Sequence, residues 1–141
     1  MTNIHQRFTD ILLPIQKITT QFDAVIFDRN GLVLASHGVK QFPEEALAAL
    51  AIMAMHYSRK CYSKVREEKL EVLMMIGGSG FILMADILGG TNVLAITVPD
   101  KSQIGKLLQY IVRVRREIEA MLLEENMKFE GLIHPEDLKK R

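Results

Sequence analysis

From Ala46 to Met55 the chain reads Ala-Leu-Ala-Ala-Leu-Ala-Ile-Met-Ala-Met, with no polar side chain in the run. This pattern predicts a helix that is apolar all round, and such a helix is covered on two sides. At about 100° per residue, Leu47, Leu50, Ala54, Tyr57 and Cys61 share one face. Ala48, Ile52 and Met55 lie roughly opposite, beside Glu45, His56 and Arg59. The first face is expected on the chain's own core, Cys61 included, and the second against a partner. Leaving Ile52 and Met55 in water would forgo about 1.5–3 kcal/mol for each large side chain. A helix sunk wholly inside its own domain is the alternative, but a chain of this size has little material to wrap it.

Alternation and turn residues predict strands on either side of this helix. Phe22-Asp-Ala-Val-Ile-Phe-Asp28 and Leu32-Val-Leu-Ala-Ser36 flank Arg29-Asn30-Gly31, and Asn-Gly between apolar runs signals a hairpin because both residues tolerate positive φ. Asp28 and Asn30 lack the spacing and the distal glutamate of a calcium loop, so the turn reading is preferred. Leu70 to Val98 is apolar enough to imitate a membrane span. Gly77-Gly78-Ser79-Gly80 and Gly89-Gly90-Thr91-Asn92 instead divide it into strand-length runs, Leu70 to Ile76, Phe81 to Leu88 and Val93 to Val98, expected as a three-stranded meander. The first of these is apolar on both alternating faces. It is therefore expected to be covered on both sides, with helices on both faces of the sheet.

The ends of the chain read as helices. Ile4, Phe8, Ile11, Ile15 and Ile18 form a stripe from about Asn3 toward Thr19, with Asn3 and Gln6 in capping-box spacing and Pro14 expected to kink or end the helix. Asp100 and Gln103 are placed as a second capping box. Behind them Ile104, Leu107, Leu108, Ile111, Ile118, Met121 and Leu122 form a stripe to about Asn126, opposite Lys106, Arg113 and Glu117. Residues 1–126 are thus read as one domain and 127–141 as a loosely held tail, in which Pro135 could start a short helical turn.

Composition narrows the function. The chain has 141 residues, 48% hydrophobic and 25% charged, which suits one globular domain with a real core. Its formal net charge of +1 provides no field for a phosphate backbone or an anionic membrane, so neither nucleic acid nor membrane insertion is expected. A single cysteine excludes an intrachain disulfide, and Met-Thr-Asn-Ile-His-Gln-Arg-Phe has no apolar region of the secretory kind; a cytoplasmic setting is expected.

No catalytic, cofactor or metal site is expected. His56 and Cys61 are separated by about 140° on a helix, too far round for a nucleophile and its base. The scattered histidines lack zinc spacing, and the glycines about Ser79 lack the Gly-Lys-Ser/Thr ending of a phosphate loop. Asp86, within a strand, is read as a structural aspartate, exposed or hydrogen-bonded. The basic stretch Arg59-Lys60-Cys61-Tyr62-Ser63-Lys64-Val65-Arg66 supplies candidate partner-binding residues in Arg59, Lys60 and Lys64, weighed against simple solvated charge at a helix C-terminus.

Asp23-Ala-Val-Ile-Phe-Asp-Arg-Asn-Gly-Leu-Val-Leu-Ala-Ser36, the alanine- and leucine-rich helix, and Leu94-Ala-Ile-Thr-Val-Pro-Asp-Lys-Ser-Gln-Ile-Gly105 together resemble the roadblock/dynein light chain family over roughly residues 3 to 123. Within it the chain is most similar to the stand-alone prokaryotic, MglB-type members. The resemblance implies an α+β fold, roadblock-like and in that sense profilin-like, with a five-stranded antiparallel sheet sandwiched between helices in the order α-β-β-α-β-β-β-α. It also implies a homodimer joined through the first meander strand and the middle helix. Ala48, Ile52, Met55, Val72 and Met74 are the expected interface residues. The implied role is non-catalytic, as a scaffold or regulator of a small Ras-like GTPase, since the MglB-type branch includes GTPase-activating proteins. A small-molecule sensor of PAS or GAF architecture and a passive adaptor subunit are the competing readings.

Overall fold

A computed structural model describes residues 4–132, with side chains through residue 125. The first helix, α1 (Ile4–Leu12), tightens into a 3-10 turn over Leu13–Lys17, with Pro14 in its first turn. Proline lacks an amide hydrogen and crowds the preceding turn, which is why the regular helix ends there. The capping expected from Asn3 lies outside the described residues. Then follow β1 (Asp23–Asp28), β2 (Val33–Gly38), α2 (Glu44–Arg66), β3 (Val72–Ile76), β4 (Phe81–Ile87), β5 (Asn92–Val98) and α3 (Ile104–Leu132).

The five strands form one antiparallel sheet in the order β2-β1-β5-β4-β3, with helices on both faces. Alternation along the central strands builds two cores. Val25, Phe27, Met84, Val93 and Ala95 face α2, while Ala24, Ile26, Leu83, Ala85, Leu94 and Ile96 face α1 and α3. The second layer is closed by Phe8, Leu12, Ile15, Leu107, Ile111 and Ile118, and by Tyr110, whose hydroxyl donates to the Ile11 carbonyl. Burial raises the Tyr110 phenol well above its ordinary pKa, because the phenolate would lose its hydration.

The turns follow the expected residues with altered detail. In the β1–β2 hairpin only Gly31 takes positive φ, +87°, and Asn30 does not. The Asp28 carboxylate accepts the Asn30 and Leu32 amides at 2.9 and 3.0 Å, so the acid rather than Asn30 organises the turn. Before α3, Asp100 closes on the amide and hydroxyl of Ser102 at 2.9 and 2.8 Å, in place of the expected box with Gln103. These bonds lower the Asp100 pKa. Helix α3 itself continues to Leu132, beyond the expected end near Asn126. Pro135 lies outside the described residues.

The two-faced character of α2 is present, and Leu47 is buried as expected, but the rest of the two faces is exchanged. Leu47, Ala48, Ala51 and Met55 are buried against the sheet, whereas Leu50, Tyr57 and Cys61 point outward. Ala48 and Ala51 have the smallest side chains available on the helix, and with them inward the helix axis sits close to Phe27 and Val93. Periodicity shows that two apolar faces exist without saying which meets the sheet. Ala48 and Met55, expected at an interface with a second chain, are fully buried in this chain's own core. Ile52 is half-buried with its end beside Gly31, and Cys61 is exposed rather than in the core.

Candidate interaction surface

Helix α2 runs past its own support. All its buried residues lie between Leu47 and Met55; from His56 to Arg66 none is buried. Along the outward face Leu50 is 56%, Met53 58% and Tyr57 63% exposed, and Val65, about five turns after Leu47, is 78% exposed where the sheet no longer backs the helix. Leu50, Met53 and Tyr57, with Ala54 and Cys61, form a stripe at helical spacing, the pattern of a helix face made to be covered.

The stripe continues onto the sheet. A cleft of about 480 Å³ lies between the end of α2 and β3, lined by Tyr57, Cys61, Tyr62, Val65, Leu70 and Leu73. Strand β3 is an outer strand, and Met74, Met75 and Ile76 are exposed. Its expected cover on both sides is therefore absent from a single chain. Leu73 pairs with Met84 and packs in the α2 layer, so alternation puts Met75 on the same side. Val72 packs in the opposite layer, and Met74 follows it by the same alternation. Of the expected interface residues, Val72 and Met74 thus have their side chains across the sheet from the α2 stripe. On the α2 side the cleft brings Tyr57, Val65 and Leu73 together. The exposed 3,4-spaced apolar residues of α2 carried that signal in the sequence.

The two outer strands are unlike. Beside β2, the His5 Nδ1–H donates to the Leu34 carbonyl at 2.8 Å, and His37 Nε2 lies 2.9 Å from the Gln16 Oε1, so α1 and the turn after it guard that edge. Unpaired edges invite added strands, and guarding one while leaving an apolar one open directs pairing to β3.

At the basic end of α2, Lys60 and Lys64 are exposed. Arg59 is not a free cation. Its Nε and Nη2 donate to the two Asp86 carboxylate oxygens at 3.0 and 2.9 Å, a bidentate pair in which the Asp86 side chain is 6% exposed. Arg59 follows Met55 by one helical turn and so continues the inward face of α2. Its planar fork matches the carboxylate, and Gly90 leaves the room: a Cβ built there would stand 3.1 Å from the guanidinium. Asp86 is fixed on its main chain too, its amide donating to the Glu71 carbonyl and its carbonyl accepting from Arg115 Nε at 2.7 Å. Arg115 in turn pairs with Glu119 at 2.9 Å. Arg59, expected among the partner-binding residues, is thus engaged within its own chain; the aspartate read as structural needed a cation, and the turn-spaced arginine supplies it.

Farther along α2, Tyr62 donates to Glu68 at 2.5 Å, and that acceptor raises the Tyr62 pKa. At the other end of the helix the Asp23 carboxylate, beside a cleft of about 340 Å³, is occupied by the amides of Lys40, Gln41 and Phe42. Among the described residues no group of three or more His, Cys, Asp or Glu is placed to hold a metal ion.

A five-stranded antiparallel sheet with one long helix on one face and the terminal helices on the other defines the class. The family model for the Roadblock/LC7 domain matches residues 10–94, more than half of the chain, and the protein belongs to that family. Among solved structures it is similar to Myxococcus xanthus MglB, with TM-score 0.76 at 15% identity, covering 88% of this chain and 93% of that one. A gliding protein MglB from Thermus thermophilus gives TM-score 0.72 at 20% identity, covering 89% and 95%. A structure described as MglB with tetrameric arrangement gives 0.75 at 18%, covering 88% and 94%. At these identities the likeness is one of fold. The sequence matched none of the curated proteins with which it was compared.

Proposed function

We propose that the protein is a non-catalytic, dimeric regulator or scaffold of a small Ras-like GTPase, with GTPase activation as its specific activity. The observation that carries this reading is the outward apolar stripe of α2, continuous with the open β3 edge and flanked by Lys60 and Lys64. A second copy related by a twofold axis would cover stripe and edge together, and an isologous interface of this kind is the commonest among soluble oligomers. Dimerisation would bring the two basic helix ends near a shared surface, where exposed cations steer an acidic partner. The family membership and the MglB structures support the choice of partner. The proposal places the protein in the cytoplasm; among the described residues no helix is long and apolar enough to cross a membrane.

Activation would act on the GTPase's own groups, since water positioning and charge stabilisation dominate phosphoryl transfer. The sensor reading has less to stand on, because both sheet faces are filled by Phe27, Met55 and Met84 on one side and Phe8, Leu94 and Tyr110 on the other.

The deciding experiment loads small Ras-like GTPases from the same organism with GDP or GTP, measures binding to each, and follows GTP hydrolysis with and without the protein. Preference for the GTP form with faster hydrolysis is expected. Equal binding to both forms without acceleration would reduce the protein to a passive adaptor, and a ligand-specific rise in melting temperature without GTPase binding would favour the sensor.

A further inference from the structure

Among the described residues, one ion pair holds the overhanging half of α2 to the sheet. Beyond Met55 the helix buries no residue, yet it continues for three turns, and the surface argued above depends on where those turns point. Arg59 lies at the start of the overhang. Its two parallel hydrogen bonds to Asp86 restrict direction as well as distance, because a planar fork on a carboxylate tolerates little rotation. Asp86 cannot follow a moving helix, held as it is by the carbonyl of Glu71, just before β3, and by Arg115 from the opposite layer.

We propose that Arg59 and Asp86 are positioning residues that set the direction of the α2 overhang and thereby the fit of its apolar stripe to a second copy of the chain. This rests on the dimer reading above. A pair serving stability alone would be replaceable by apolar side chains of similar size, an exchange that is often neutral or favourable. A pair serving direction would not be, since one apolar contact at an unsupported helix end lacks the two-point geometry of the fork.

The test is the double variant Arg59→Met with Asp86→Leu, in the full chain. In a Leu50→Glu background, where association does not contribute, the double variant is expected to melt near the temperature of its Leu50→Glu parent. Amide exchange over residues 60–66 is expected to quicken by about tenfold or more as the overhang loosens, with 47–55 unchanged. Dimer dissociation, followed by sedimentation, is expected to rise by about tenfold, equivalent to about 1.4 kcal/mol. Exchange is also compared in a Leu50→Glu background, so that cover by a second copy does not contribute. Wild-type exchange over 60–66 in the double variant would overturn the positioning role. A wild type that sediments as a monomer at every concentration would overturn the dimer reading instead, while the exchange comparison still decides the direction of the overhang. Should the double variant fail to fold, Arg59→Lys keeps the charge without the fork and carries the same comparison: faster exchange over 60–66 supports the assignment, and unchanged exchange overturns it.

Discussion

At the scale of single residues, the contrast between Arg59 and Lys60 shows how little adjacent positions on a helix need share. Arg59→Ala would leave the Asp86 carboxylate nearly buried and unpaired. Breaking a buried pair from one side is costly, and with Arg59 itself about one-third exposed a loss of roughly 2–3 kcal/mol is expected. Lys60→Ala should change stability by no more than about 0.5 kcal/mol. Urea unfolding of both variants checks the difference, and equal midpoints would contradict it. Tyr110→Phe removes the donor to the Ile11 carbonyl and is expected to cost roughly 1–2 kcal/mol. The raised Tyr110 pKa has a further consequence. Because the folded value exceeds the unfolded one near 10, the stabilisation is complete below about pH 10. It is lost only as pH rises toward the folded value. An alkaline absorbance titration should therefore show Tyr110 ionising only as the protein unfolds, and the Phe variant should lose that late step.

Among elements, α2 is where sequence reading succeeded in kind and failed in sign. A helix with two apolar faces was legible, because ten successive residues lack a polar side chain and a chain of this size has little material to wrap such a helix completely. Which face meets the sheet depends on the close approach that Ala48 and Ala51 allow, and that belongs to the sheet as much as to the helix. The strands were legible to within about two residues, most closely where Gly77-Gly78 and Gly89-Gly90 separate the last three. The pairing of Arg59 was missed for a similar reason: Asp86 lies 27 residues away, beyond the reach of any local pattern. The corrected orientation reverses what substitutions should do. Met55→Glu would place a carboxylate in the sheet-facing core and is expected to unfold the chain, whereas Leu50→Glu and Met53→Glu should keep the fold and split the dimer. Circular dichroism with sedimentation distinguishes the cases. A folded Met55→Glu dimer would contradict the packing, and intact dimers in both exposed variants would remove α2 from the interface.

For the whole molecule, the proposed dimer would tie stability to association, since α2 and β3 leave apolar surface open in a single chain. If a second copy covers α2 and β3, melting temperature should rise with protein concentration, because whatever binds only the folded chain stabilises it by mass action. The Leu50→Glu variant should melt at one temperature regardless of concentration. A concentration-independent wild type would argue against the dimer as directly as sedimentation does. The sheet's two edges make the same point in space: β2 is guarded by α1, and β3 is left for another chain.

The alternation along β5 also limits how this chain can change length. Val93 and Ala95 belong to one core, Leu94 and Ile96 to the other. One residue inserted between them would send every later side chain of the strand to the wrong side and spoil both layers at once. The same insertion in β4 would also turn Asp86 away from Arg59. Gene variants with added or deleted residues should therefore survive at 77–80 and around 29–31, where the chain reverses in solvent, and be lost within 81–87 and 92–98. A folded protein carrying an extra residue after Leu94 would mean that the two cores are less firmly tied to one register than their packing requires.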